Sequence, residues 1–402
     1  MKQFGIPQYL DGRTGDKALS KAVNRARLLD MLRSHKGFSR AALAKSSGLN
    51  KTTVSSQIAE LIELGIVREI GMCASSMGRK PVMIEIDSDS GYALGISISS
   101  TNLHVVAMNA AGEIKRDETI PSPDCSPEGI VKSINSIIKA AKKEYGKTRF
   151  GLYGVGVAVP GTVDRDSGNV IRSAKLGWEG VPLKQSLSKG IGAALEIGND
   201  ATLATIAEHE LHAPESRDFA CLLIDEGIGS GAYINGVVYY GGNGQFGEVG
   251  HMTIVHDGAR CPCGNIGCWD LYGSELALRQ ALTSASKGRD SSGARLEELA
   301  ASPPEWSRKA FSRFVDYLVT GVVNILNSMT PSTIVINSAV LSASPMMFEK
   351  LKSGVSARAL ARATACDIRL SSLRKDAPAV GAAISATDRF FKSLVLDEDV
   401  SP

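Results

Sequence analysis

Apolar positions recur at helical spacing over residues 20–36, where Ala22, Ala26, Leu29 and Leu32 share one face, and Gly37 ends the run. A short second helix is predicted from the Ser39 cap to the Gly48 break. A third follows, with Asn50 as cap, Val54, Ile58, Leu61 and Ile62 as its apolar face, and Gly65 as its stop. Residues 66–70 and 82–86 read as short strands around the loop Gly71–Pro81. Helix, short helix, turn, helix and hairpin is the order of a winged helix-turn-helix. The third helix opens with Lys51, Thr52, Thr53, Ser55, Ser56 and Gln57, small polar and basic groups suited to meeting base edges in a major groove.

Beyond the turn-rich stretch 87–91 the pattern changes. Strands are expected at 92–98, 103–109, 113–120, 151–159 and 193–198, with helices at 127–145 and 200–211. A second strand set begins at 219–225 and continues to 232–240. Helices follow at 270–284, 305–328, 345–356 and 378–392, with strands at 332–337 and 366–371. Two successive sets of strands and helices predict two α/β lobes.

Composition adds little until it is divided. The 402 residues are 43% hydrophobic and 22% charged, an ordinary globular balance that excludes disordered and collagen-like classes. No run approaches the roughly 20 apolar residues of a membrane span. Residues 1–27 are polar, without the apolar core of a secretion signal, so a cytoplasmic protein is expected. The net charge of +3 hides an asymmetry: residues 1–86 hold 14 Lys/Arg against 7 Asp/Glu, whereas residues 87–402 hold 31 against 35. A basic first fifth on a mildly acidic remainder fits a module for binding a polyanion. Three of the seven cysteines, Cys261, Cys263 and Cys268, fall within eight residues, which reads first as metal binding rather than disulfide pairing. Cys73, Cys125, Cys221 and Cys366 read as ordinary small residues. His209 and His212 are expected to be solvent-exposed.

Several motifs resemble the ROK family of sugar-responsive repressors and sugar kinases. Gly247-Glu248-Val249-Gly250-His251 resembles its Glu-x-Gly-His motif. Cys261-Pro-Cys263-Gly-Asn-Ile-Gly267-Cys268-Trp-Asp270 resembles its Cys-x-Cys-Gly-x-x-Gly-Cys-x-Glu signature, with Asp where the family usually has Glu. Gly156-Val-Ala-Val-Pro160-Gly161 and Gly198-Asn199-Asp200 match further segments. The resemblance implies an α/β fold of two actin-like, ribonuclease-H-like lobes carrying an N-terminal winged helix-turn-helix. On that basis residues 1–86 form the head and 87–402 the sugar-binding and dimerisation domain. Lobe 1 takes about 87–200 plus a C-terminal helix at about 377–394, and lobe 2 about 201–376.

The resemblance also selects His251 as the fourth metal ligand beside Cys261, Cys263 and Cys268. Three thiolates and one imidazole complete a tetrahedron, so one structural Zn²⁺ is expected rather than a catalytic ion with an open position. The family's sugar pocket maps onto Gly161, Asn199, Asp200, Glu248, His251 and Asp270; in related kinases the residue matching Asp200 is the general base.

The kinase members need two phosphate-binding turns. Where the family has Asp-x-Gly-Gly-Thr this chain reads Ser97-Ile98-Ser99-Ser100-Thr101, and for Gly-Thr-Gly-x-Gly it reads Asp225-Glu226-Gly227-Ile228-Gly229. Glu226 replaces a phosphate-binding Thr, and two like charges about 4 Å apart repel by about 4 kcal/mol at an effective dielectric of about 20. Neither ATP binding nor catalysis is expected. The expectation is a regulator, most naturally a repressor of sugar-utilisation genes. A homodimer, or a tetramer, would grip double-stranded operator DNA and respond to a sugar or sugar phosphate. Thr52, Thr53, Ser56 and Gln57 would approach bases. Lys51 and Arg40 would sit on phosphate, and Arg79 with Lys80 would enter the minor groove. The alternatives are a sugar kinase with an accessory head and a regulator captured by a transporter protein.

Overall fold

The computed structural model describes residues 17–35, 37–72, 81–122, 124–189, 191–242, 244–286, 295–360 and 365–396. The chain opens with α1 (Lys17–Ser34), β1 (Phe38–Ser39), α2 (Arg40–Ser47), α3 (Lys51–Glu63), β2 (Val67–Met72) and β3 (Val82–Ile86). The caps follow from the sequence: Ser39 Oγ accepts from the Ala42 amide at 3.1 Å, and Asn50 Oδ1 from the Thr53 amide at 2.7 Å. The strands form a three-stranded sheet in the order β1-β3-β2. Arg79 and Lys80, expected in a wing, lie outside the described residues.

Next come β4 (Tyr92–Ile98), β5 (Asn102–Asn109), β6 (Ile114–Pro121), α4 (Pro127–Tyr145) and β7 (Leu152–Val159). In α4 the Ser126 cap, Pro127 in the first turn and Lys142/Lys143 in the last obey the end rules for helices. Ile130, Ile134, Ile137 and Ile138 are its buried face. The chain continues through β8 (Thr162–Val163), β9 (Val170–Ser173), β10 (Trp178–Val181), α5 (Leu183–Ser188) and β11 (Ala194–Asn199). A five-stranded sheet has the order β11-β7-β4-β5-β6.

The remainder is α6 (Asp200–His212), β12 (Phe219–Ile224), β13 (Ile228–Ile234), β14 (Val237–Val238), α7 (Asp270–Gly273), α8 (Glu275–Ser286), α9 (Leu296–Ala301), α10 (Arg308–Met329), β15 (Thr333–Ser338), α11 (Ala339–Ala343), α12 (Pro345–Arg358), β16 (Asp367–Leu370) and α13 (Ala377–Leu396). Its sheet has the order β14-β13-β12-β15-β16. The two sheets repeat one plan. In each, the first three strands form an antiparallel meander (β4-β5-β6 and β12-β13-β14), and the next strand pairs parallel with the first. That is the pattern of paired ribonuclease-H-like lobes.

Two predicted elements differ. The single run 232–240 is a hairpin, because Asn235 and Gly236 take positive φ (55° and 81°) and turn the chain between β13 and β14. The helix expected at 270–284 is broken at Ser274, whose extended backbone separates α7 from α8.

Two compact units emerge. The first takes the described residues up to Val159, Asp166–Gly198, and α13 from Ala382 onward; the second takes Pro160–Arg165 and Asn199–Gly381. In the first unit, head and C-terminal helix share one apolar cluster: Leu28, Leu43, Val54, Ile58 and Leu61 lie with Tyr153, Phe390, Phe391 and Leu394. A Cβ on Gly156 would fall 2.0 Å from the Ala382 carbonyl oxygen, so only glycine lets β7 and α13 approach this closely. The second unit is built on α10, whose Phe311, Phe314, Leu318 and Val322 pack with Leu222, Ile334 and Ile336 of the sheet.

Candidate metal centre and ligand pocket

Val249, Met252 and Ile254 pack on the second unit's apolar cluster, and beyond them turns and side chains set the shape of the chain to Cys268. The Cys261–Cys268 segment is a knuckle: the Cys261 amide donates to the Asn265 carbonyl at 2.8 Å, and the Gly264 amide returns to Cys261 O at 2.9 Å. The Asn265 Nδ2 donates to His251 O at 3.0 Å and so ties the knuckle to the His251 turn. Sequence reasoning passed over Asn265, which occupies a variable position of the motif.

This folding gathers His251, Cys261, Cys263 and Cys268, with all four ligand atoms within 4.8 Å of one another. Cys263 Sγ and Cys268 Sγ are 3.6 Å apart, and Cys261 Sγ is 3.8 Å from His251 Nδ1. Ligands at about 2.0–2.3 Å from a tetrahedral zinc sit about 3.3–3.8 Å from one another, so this donor set fits a closed structural metal site. His251 has two faces. Its Nδ1 faces the thiols, while Nε2 lies 3.9 Å from Glu248 Oε2. A metal on Nδ1 would leave the Nε2 proton pointing at Glu248.

The other pocket candidates belong to the same unit. Asn199 caps α6, its Oδ1 accepting from the Thr202 amide at 2.9 Å, and its Nδ2 donates to the Gly161 carbonyl at 2.9 Å. Both ends of Asn199 are thus engaged in holding the Gly161 turn against α6. Asp200 stands at the first helical position, half-buried, with Oδ1 accepting from the Ala201 amide at 2.8 Å. Glu248 is 46% exposed and accepts from the Thr162 hydroxyl at 3.3 Å. Thr162 was not singled out from sequence; its place directly after Pro160-Gly161 was the available signal.

Asp270 has a specific structural task. Its Oδ1 accepts from the Ile228 amide at 2.8 Å, and burial raises its carboxyl above the usual range against the pull of that amide and of His251. A Cβ on Gly250 would lie 2.1 Å from Asp270 Oδ1 and 2.5 Å from Ile228 O, so glycine is required where the two motifs meet.

Several amides of the two turns that would cradle phosphate are bonded internally. In the β4–β5 turn, Ser99 Oγ accepts from the Asn102 amide at 3.0 Å and the Thr101 amide at 3.4 Å. In the β12–β13 turn, the Ile228 amide goes to Asp270, and the Asp225 amide to Gly227 O at 2.9 Å. Asp225 and Glu226 are exposed there.

On the head, Lys51, Thr52 and Ser56 are exposed on α3, and Thr53 is half-buried. Arg40 is half-buried and paired with Glu69 at 2.8 Å. Gln57 departs from expectation. It is 5% exposed, because its position between Val54 and Ile58 turns it inward, and its Oε1 has no hydrogen-bond partner. It is a core residue and reads no base. His209 also departs: it is buried, stacked on Tyr233 at 3.7 Å, with Nε2 at 2.9 Å from the Ser216 carbonyl. Among the described residues no helix is long and apolar enough to cross a membrane.

Comparison with known proteins agrees with this geometry. The chain is 32% identical over 383 residues to the xylose repressor of Bacillus subtilis (strain 168), covering 95% of this chain and 99% of that protein. Among solved structures, a ROK family transcriptional regulator described as a homolog of the E. coli MLC protein superposes with a TM-score of 0.81. It is 21% identical and covers 95% of this chain and 99% of its own. A ROK hexokinase from Thermus thermophilus covers 74% of this chain and 98% of its own at a TM-score of 0.63 and 23% identity. The fold is therefore shared by regulators and kinases. The model described as the ROK family matches residues 93–389, and this chain belongs to that family.

Proposed function

We propose that this protein is a cytoplasmic transcriptional repressor whose head binds operator DNA and whose second unit takes a sugar beside a structural zinc. The observation that carries this reading is the state of the phosphate turns. The Thr101 and Asn102 amides are taken by Ser99 and the Ile228 amide by Asp270, and Glu226 puts an acidic side chain in the second turn, while the pocket carboxylates and the Cys₃His cluster are intact. A kinase needs those amides for ATP; a sugar sensor does not. Similarity to the Bacillus subtilis xylose repressor along almost its whole length supports the same choice.

In this reading Lys51 and Arg40 place the head on phosphates, while Thr52, Thr53 and Ser56 of α3 approach base edges, with Arg79 and Lys80 in the wing. A homodimer presents two heads to a two-fold operator. Asp200, Glu248 and Asp270 put three carboxyl groups around the site, which favours hydroxyl-rich neutral sugars over sugar phosphates. Asp200 and Glu248 accept from sugar hydroxyls, and His251 Nε2 donates. Asn199 and Gly161 shape the floor. A bound zinc supplies no chemistry beyond fixing the Cys loop against the His251 turn.

The test is operator binding by fluorescence anisotropy, with and without sugars first ranked by thermal shift. D-xylose is the first to try. Release from DNA by a neutral sugar, but not by its phosphate ester, is expected. ATP-dependent phosphorylation of any sugar in the panel would overturn the reading.

A further inference from the structure

One buried cation joins three helices of the first unit. Arg25, on α1, is 3% exposed. Its NH1 donates to the carbonyl of Leu394 at 2.9 Å, and its NH2 to Glu60 Oε2 at 2.6 Å. Leu394 lies on α13, 369 residues further along the chain. Glu60 lies on α3 and also takes Lys21 at 2.8 Å; hydrogen bonds from Lys21 and then Arg25 hold its carboxyl below the usual range. A second bridge runs parallel, with Arg33 pairing Asp388 at 2.7 Å and lying 4.9 Å over the Phe391 ring. Around both, Val54, Ile58 and Leu61 of α3 share their apolar cluster with Phe390, Leu394 and Val395 of α13.

We propose that Arg25 is a positioning residue for DNA recognition: by bonding the Leu394 carbonyl of α13 and Glu60 of α3 at once, it makes α13 part of the DNA-reading head. The reason is geometric. The inward side of α3 carries Val54, Ile58 and Leu61, its outward side carries Lys51, Thr52 and Ser56, and Glu60 sits at the flank, one turn beyond Ser56 and 34% exposed. A tilt or roll of α3 moves those groups off the base edges, and the guanidinium fork, beside the Lys21–Glu60 pair, opposes it. A planar fork serves two acceptors in fixed directions, which an ammonium does not reproduce. Displacing α13 around Leu394 would take one partner from the guanidinium inside the core, so DNA affinity becomes sensitive to the state of a helix remote in sequence from the head.

This rests on the DNA-binding reading, and the experiment separates the two. Full-length Arg25→Met, Arg25→Lys, Glu60→Gln and the Arg25→Met/Glu60→Gln pair are titrated with operator DNA and with a scrambled duplex. Arg25→Met is expected to lose about tenfold or more in operator affinity, as for one charge-assisted hydrogen bond, while non-specific affinity stays within about twofold. Arg25→Lys recovers part of the loss, and the paired variant loses no more than Arg25→Met alone. Wild-type operator affinity in Arg25→Met overturns the proposal. So does equal loss of specific and non-specific binding in both Arg25→Met and Glu60→Gln, which would mark a general loss of fold. If Arg25→Met does not fold, Glu60→Gln decides by the same ratio of operator to scrambled binding. A wild-type protein that does not distinguish operator from scrambled DNA removes the DNA reading and this inference with it.

Discussion

The head with α13 and the Cys–His loop both present polar side chains at fixed positions, and they fix them by opposite means. The head relies on apolar burial: Leu28, Leu43, Val54, Ile58, Leu61 and Ile66 are all fully buried, and Phe390 and Phe391 of a distant segment complete their cluster. In the knuckle Cys261–Cys268, Pro262, Cys263, Gly264, Asn265 and Ile266 are exposed, and Cys261, Gly267 and Cys268 are buried. Val249, Met252 and Ile254 anchor the start of the segment on the apolar cluster, and the exposed knuckle that follows, with few apolar contacts of its own, is shaped by tight turns and offers a metal-ligand set. A surface fixed by burial inherits the motions of whatever shares its core. A surface fixed by a metal is locally rigid and independent of distant packing.

Removing the metal should produce the largest effect. Structural zinc contributes about 10–16 kcal/mol in small zinc modules, so Cys268→Ser, or exhaustive chelation, should empty the site and abolish any sugar-induced thermal shift. Operator affinity without sugar should persist. Elemental analysis and calorimetry check this, and an undiminished sugar shift in metal-free protein would show that the loop holds itself. Next in size is the shared core. Phe390→Ala should cost about 3–5 kcal/mol in urea unfolding of the first unit and weaken operator binding, with metal content unchanged. A head that binds operator normally in this variant would contradict the shared core.

The third prediction concerns pH. Glu275 accepts from Ser338 Oγ at 3.2 Å and the Val340 amide at 3.4 Å, and burial, with the charge of Asp225, raises it from 4.5 to about 7. A carboxyl whose folded pKa is raised stabilises the fold below its unfolded value and loses that contribution as pH rises. The second unit should therefore lose up to about 3 kcal/mol between pH 4.5 and 7. Glu275→Gln should remove most of that slope and be more stable at pH 8; denaturation at several pH values measures it, and an unchanged slope rejects the assignment. The smallest effect belongs to the head. Gln57→Leu removes a buried amide whose Oε1 has no partner and should stabilise by about 1–2 kcal/mol without changing operator preference. Altered base preference would return Gln57 to the reading surface.

The parts of the candidate site that were legible in sequence are those set by neighbours in the chain. The Ser39 and Asn50 caps and the stripe Val54, Ile58, Leu61 follow from helical spacing, and the three cysteines from their own clustering. His251 was chosen over His256 by resemblance, and the fold places its Nδ1 among the thiols while His256 is 95% exposed. Gln57 was misread because one residue of offset on a helix, about 100°, separates the exposed face from the buried one, and a polar type biased the choice outward. Thr162 and Asn265 carry no pattern of their own; only the approach of distant segments gives them partners.

The sequence by itself determined the order of elements, the charge contrast between the first 86 residues and the rest, and the side-chain types of the candidate metal centre. These depend on periodicity, composition and local spacing, which a chain carries before it folds. Tertiary structure decided that α13 completes the core of the head, that Arg25 bridges helices 369 residues apart, and that Asp270 consumes the Ile228 amide. Those depend on which backbone groups are left without partners once the helices and sheets have packed, and that is settled only by long-range burial.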